Sequence, residues 1–359
     1  MKKRIFGLDL TRSIAFLFVI IVHSFLNSNF NNTDLKGFQM FFLLMVRCLS
    51  FTGVLLFIIL TGYCKSNKDI SKKHYSSIVK ILIVYLVISI ITILFKKYYL
   101  NDDTILYDYI IGIFNFTTIP YAWYLEMYIG LFLLIPFLNI LYNNLKTKRN
   151  KQILIITLLF ISSISTTFSN LNIETRSLDL LPNWWNLYPI LLYYIGAYIK
   201  EYQININKYI NLLFILVVIF LQAFVMFSYC GGNALYVEKI FVYESNFPSI
   251  ILAVLVFLLL YNIRTHSKVL SKIVYYISYA SLGGYLISFC CDKLIYKLAN
   301  LNINSSNYFI ICTFVLTPII FIISTIISII INKIIDGVSK ITKKIHNNYK
   351  LKVMNKELY

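Results

Sequence analysis

Apolar residues run along this 359-residue chain in long blocks, separated by short polar connections. About 20 apolar residues in a helix cross the hydrocarbon core of a bilayer. Ten stretches can be marked as candidates: 8–27, 38–62, 78–95, 123–142, 152–169, 186–199, 209–228, 247–261, 273–291 and 308–331. The expected fold is therefore all-α, a polytopic integral membrane helical bundle of about ten spans, with 186–199 and 247–261 its shortest members. No repeat or linker divides it. Residues 1–332 read as one transmembrane domain, and 333–359 as a basic, amphipathic tail on the anionic inner leaflet. The longest outer connection, from Lys96 to Ala122, holds Asp102, Asp103 and Asp108 and has room for a short interfacial helix.

Polar residues that interrupt the apolar blocks carry the chemical information, because ionisable groups inside a span cost free energy and mark cavities or partners. The first block, DLTRSIAFLFVIIVHS, contains Asp9, Arg12 and His23. Eleven residues are close to three helical turns, so Arg12 and His23 share one stripe about 16 Å apart along the axis. Asp9 sits one turn before Arg12 on nearly the same face. An imidazole can take a proton from a hydroxyl near neutral pH. A guanidinium near the inner surface either binds phosphate or snorkels beside Asp9. Arg47 lies too deep in the second block to snorkel easily. Glu126, one turn into the fourth block, either pairs with Arg47, orients His23 or contacts water. Gly62 permits a tight turn at the inner end of FIILTGY. In SYASLGGYLISFCCD, Ser278, Ser281 and Gly283–Gly284 read as packing residues, and Asp292 as lying at the outer mouth.

Composition excludes a soluble domain: 59% of residues are hydrophobic and 13% charged, with a mean hydropathy of +0.74. The net charge of +18 does not imply nucleic acid, because the cations cluster in the connections. With the N-terminus inside, inner segments hold 24 Lys and Arg and outer segments seven, which predicts that both termini are cytoplasmic. Trp123, Trp184 and Trp185 then fall at the outer interface. Lys2, Lys3 and Arg4 precede the first block without a small-residue cleavage site, the expectation being an uncleaved first span. Six scattered cysteines and four separated histidines suggest no metal site. No P-loop, nucleophile elbow, zinc motif or dinucleotide fingerprint is present.

Several blocks resemble the membrane acyltransferase-3 family of multi-pass proteins that acylate surface sugars. Arg12 to His23 is similar to its first-span R-x10-H, and Arg47 with LLFIILTGY to its second-span arginine and F-F-x-x-S-G-Y, Thr61 replacing Ser. AWYLEMYIGLFLLIP resembles its W-[FY]-L…P block, with Ala122 where many members carry His. YYIGAY resembles the F-x-x-G-Y that lies midway along the family's sequences, and SLGGYLIS an S-x-G-x-Y-L-x-H in which Ser288 replaces the histidine. The resemblance implies a cytoplasmic acyl-coenzyme A donor, most simply acetyl-CoA, and no metal. It also implies a surface polysaccharide or lipid-linked glycan as acceptor. It marks His23, Arg12 and Arg47 as the functional set. With the span charges Glu126 and Asp9 added, His23, Arg47 and Glu126 are the candidate catalytic residues, and Arg12 with Asp9 the candidate donor-binding pair. Expected partners are membrane lipids and other polysaccharide-biosynthesis proteins, not nucleic acid. A protein stopping after the tenth span would act alone or hand its acyl group to a partner. The Ile, Asn, Lys and Tyr content fits an AT-rich bacterial genome, hence a bacterial plasma membrane protein. The alternative is an exporter of polysaccharide or lipid-linked sugar that uses the same polar stripe as a path.

Overall fold

The structure is a computed structural model that describes residues 4–170, 181, 183–229, 244–301 and 307–356. Cys230 and the outer cations Arg176 and Lys239 lie outside the described residues. Among those described there is no strand, only helix and connection. In order along the sequence the helices are α1 (Phe6–Asn27), α2 (Gly37–Ser50), α3 (Thr52–Lys65), α4 (Lys72–Ser76), α5 (Val79–Tyr99), α6 (Leu106–Phe114), α7 (Trp123–Asn144), α8 (Lys148–Leu159), α9 (Ser165–Asn170), α10 (Tyr188–Tyr202), α11 (Lys208–Tyr229), α12 (Phe247–Leu260), α13 (Lys268–Ala299), α14 (Tyr308–Ile311) and α15 (Thr317–Lys356). Single π-helical turns, Phe160–Ile164 and Cys312–Leu316, join α8 to α9 and α14 to α15.

Among the described residues, seven helical stretches are long and apolar enough to cross a membrane: Phe6–Asn27, Gly37–Lys65, Lys72–Tyr99, Trp123–Asn144, Lys208–Ser228, Lys268–Ala299 and Tyr308–Thr342. The three other marked blocks are also helical. With 15 residues, α10 extends about 22 Å at 1.5 Å per residue, against a core of about 30 Å. The 14-residue α12 is apolar but shorter still, whereas α8, its π turn and α9 run on unbroken from 148 to 170. The short helix expected in the longest outer connection is α6.

Helix α1 is the axis of the bundle. It packs along α13 and α3 and also meets α2, α12 and α15, burying Ala15, Phe16, Val19 and Ile20. The outer faces of α5, α7 and α11 carry Ile, Leu and Phe in the open, including Ile90, Leu94, Phe137, Leu213 and Phe224. Apolar side chains outside and polar ones within is the arrangement a lipid solvent favours.

Gly62 does not make the turn expected of it, because α3 continues through it to Lys65. Its hydrogen serves helix contact instead. A Cβ there would lie 2.0 Å from the carbonyl oxygen of Tyr193, and one on Gly196 would lie 2.0 Å from that of Ile59. The two glycines let α3 and α10 cross backbone to backbone. Beyond the last span, α15 runs on into the basic tail. There Asp336 accepts from Lys80 Nζ and Tyr279 Oη, both at 2.6 Å, so the start of the tail is tied to the bundle.

Candidate functional site

The polar stripe on α1 faces two cavities, one toward each end of the helix, called inner and outer after the expected cytoplasmic N-terminus. Arg12 lines the inner one, of about 210 Å³, with Thr61, Cys64 and Lys65 from α3, Tyr124 and Tyr128 from α7, and Ser281 and Tyr285 from α13. Arg12 is held rather than loose. Its Nη1 donates to Ser278 Oγ at 2.9 Å and lies 3.4 Å from Asp9 Oδ1, while Ser278 Oγ donates to the same Asp9 oxygen at 2.8 Å. Ser278 thus does more than pack: it clamps the charge pair between α1 and α13. With its side chain 32% exposed, the guanidinium still reaches open space.

Asp9 turns to a different hollow. It lines a wide inner cleft of about 540 Å³ with Arg4, His266, Lys268, Lys272 and Tyr275. Its Oδ2 lies 3.8 Å from Arg4 Nη1. Arg4, Lys268 and Lys272, three cations beside one carboxylate, give this cleft a positive field, suited to an anionic substrate.

His23 lines the outer cavity, of about 170 Å³, with Arg47, Ser50, Phe51, Trp123, Glu244 and Tyr285. The imidazole is 5% exposed, and its buried Nδ1 makes no hydrogen bond among the described residues. The Tyr121 ring stacks on it, centroids 3.6 Å apart. The Tyr121 hydroxyl in turn donates to Asp292 Oδ2 at 2.8 Å. The Asn27 amide nitrogen joins the group: it donates to the carbonyl of His23 at 2.9 Å and lies 2.9 Å from Tyr121 Oη and 3.3 Å from Asp292 Oδ2. Asp292 is 1% exposed, and its Oδ1 also lacks a hydrogen bond among the described residues.

Arg47 is 2% exposed, among the largest fully buried side chains. Its guanidinium carbon lies 5.8 Å from the Phe30 ring centre. Glu244, just before α12, lines the cavity too, and burial raises its carboxyl above the usual carboxylate range.

Four of the five expected site residues thus line the hollows at the two ends of α1, with Arg12 inside and His23 beside Arg47 outside. The fifth, Glu126, is exposed and turns away. It lines a fourth hollow, an open cleft of about 620 Å³, with Trp123, Trp185, Asn186, Tyr188 and Glu244. Trp123 and Glu244 line both this cleft and the His23 cavity, so the two adjoin. Ser288, standing where the family motif carries histidine, is fully buried and donates to the carbonyl of Tyr285 at 2.7 Å, away from both cavities.

Sequence reasoning missed Tyr121, Tyr285 and Glu244. A signal existed for two of them. Tyr285 is part of SLGGYLIS, and Glu244 is a lone carboxylate just ahead of a short apolar block. Tyr121 had none.

A family model described as an acyltransferase domain matches residues 5–333. No curated protein and no solved structure matches the protein.

Proposed function

Because the chain belongs to the acyltransferase 3 family, we propose that it moves an acyl group, most simply acetyl, from cytoplasmic acyl-coenzyme A to a glycan hydroxyl. The acceptor in this reading is a cell-surface or lipid-linked glycan, and the setting a bacterial plasma membrane. The observation that carries the proposal is the pair of cavities on one helix, a cation in the inner one and an imidazole with an arginine in the outer one. Donor and acceptor chemistry would then take place at opposite ends of the same stripe.

The basic inner cleft of Arg4, His266, Lys268 and Lys272 suits the phosphates of the donor. Arg12, paired with Asp9 of that cleft, and Lys65 line the inner cavity, which would take its thioester arm. On the outer side, the acceptor sugar approaches through the cleft of Trp123, Trp185, Glu126 and Asn186, where aromatic faces and polar groups stand together. His23 takes the proton of the attacking hydroxyl as its oxygen adds to the thioester carbonyl. Arg47 faces the negative charge that develops on the carbonyl oxygen. The carbon–sulfur bond then breaks, the proton passes to the departing thiolate, and an ester and free coenzyme A result.

Membrane vesicles carrying the protein, given isotope-labelled acetyl-CoA on the inner face, should move label into the glycan fraction. His23→Ala vesicles should not. Equal transfer by both would refute the role of His23, and no transfer by either would refute the reaction.

A further inference from the structure

The inner and outer cavities share one lining residue, Tyr285. Its ring stands between an inner and an outer aromatic neighbour. Tyr124, which lines the inner cavity, meets it edge-on with centroids 6.1 Å apart, and His23 lies roughly parallel to it at 6.0 Å. The residue is 4% exposed, and its hydroxyl donates to the backbone carbonyl of Tyr121. The helix that carries it has little freedom to slide here. A Cβ on the preceding Gly284 would lie 2.5 Å from Phe16 Cζ, so α13 already touches α1. Opening a passage between the cavities therefore requires the Tyr285 side chain itself to turn, giving up its hydrogen bond to Tyr121.

We infer that Tyr285 is the septum between the donor and acceptor cavities, and that the acyl group reaches His23 only when this ring swings aside. The inference rests on the acyl-transfer reading for what passes, but not for the barrier itself. A closed ring keeps solutes from crossing while no donor is bound. An open one lets the thioester arm extend from Arg12 toward His23. The space beside the ring then limits which acyl groups pass, which makes Tyr285 a residue of acyl selectivity as well as a barrier.

A native thiol reports on the septum without any assay of activity. Cys64 lines the inner cavity and is exposed, whereas Cys48, Cys290, Cys291 and Cys312 are buried. In a background with the other five cysteines changed to serine, vesicles of either orientation are treated with sulfonatoethyl methanethiosulfonate, an anionic reagent that crosses bilayers poorly. Wild-type Tyr285 should allow modification of Cys64 from the inner face only. Tyr285→Ala should raise the rate from the outer face by about tenfold or more, the effect of lowering a barrier by about 1.4 kcal/mol. Tyr285→Phe keeps the ring but loses the hydrogen bond to Tyr121, and its outer rate should lie between those of wild type and Tyr285→Ala.

Modification from the inner face monitors the fold in each variant, and Tyr285→Leu replaces Tyr285→Ala if that rate is lost. An unchanged outer rate in a folded small-residue variant would overturn the septum. So would a wild-type protein modified equally from both faces. Transfer of acetyl and butyryl groups is measured alongside. If wild type transfers neither, acyl transfer falls while the labelling still decides the septum. If it transfers acetyl, the small-residue variant should gain butyryl transfer relative to acetyl, and an unchanged ratio would refute the selectivity role.

Discussion

The two ends of the α1 stripe treat their buried polar groups differently. At the inner end Arg12, Asp9 and Ser278 bond one another, and Ser13 Oγ ties the same turn to α13 through the carbonyl of Val274 at 3.2 Å. At the outer end Nδ1 of His23 and Oδ1 of Asp292 are buried and without hydrogen bonds among the described residues. Leaving a buried donor or acceptor unmade costs about 1–3 kcal/mol, so each instance needs a reason. A satisfied cluster between two helices is a scaffold. An unsatisfied one beside a cavity is a group kept ready for a substrate. On the proposed reading, the Asp9–Ser278 clamp is scaffold that holds Arg12 at the donor path, and the reacting groups lie in the outer cluster.

Substitutions can break that contrast, and they rank by expected effect. His23→Ala removes the proposed general base and should lower acyl transfer by about 10²–10⁴-fold, read as labelled glycan per unit of protein. Arg47→Gln keeps a polar side chain but not the charge, and should cost about 10²–10³-fold in the same assay. Asp292→Asn tests the outer cluster more finely. If Asp292 orients His23 through Tyr121, transfer should fall by about tenfold, worth about 1.4 kcal/mol of barrier, with the melting temperature unchanged or raised. A loss of stability with normal transfer would make Asp292 structural. Ser278→Ala should behave the opposite way, losing about 1 kcal/mol of stability while transfer stays close to wild type at saturating donor. Glu126→Gln should have the smallest effect, confined to the KM for the acceptor, since Glu126 lines the outer cleft and not the His23 cavity.

Much of this was legible in the sequence. The α1 stripe followed from 3.6-residue periodicity alone, because Arg12 and His23 sit on a single uninterrupted helix. Arg47 was legible as a charge deep in an apolar block. Glu126 was not placed, because position along a helix does not fix the direction it faces. Trp123 and Glu126, three residues apart, turn to the outer cleft, whereas Tyr124 and Tyr128 turn to the inner cavity. Tyr285 and Glu244 reach the site through contacts with residues far off in sequence, which periodicity cannot supply. Gly62 misled because a glycine near a helix end signals a turn, while here the missing side chain lets α10 approach. Seven of the ten marked blocks are long apolar helices among the described residues. An apolar block does not show how much of it one helix takes up, and α12 and α10 have only 14 and 15 residues.

The most direct test of acyl transfer through His23 is proton NMR of surface glycan from cells lacking the gene, complemented with wild type or His23→Ala at matched expression. The expected result is that acyl signals vanish on deletion, return with wild type and stay absent with His23→Ala. Acylation unchanged by deletion, with less glycan exported, would contradict the enzymatic reading and make the protein an exporter.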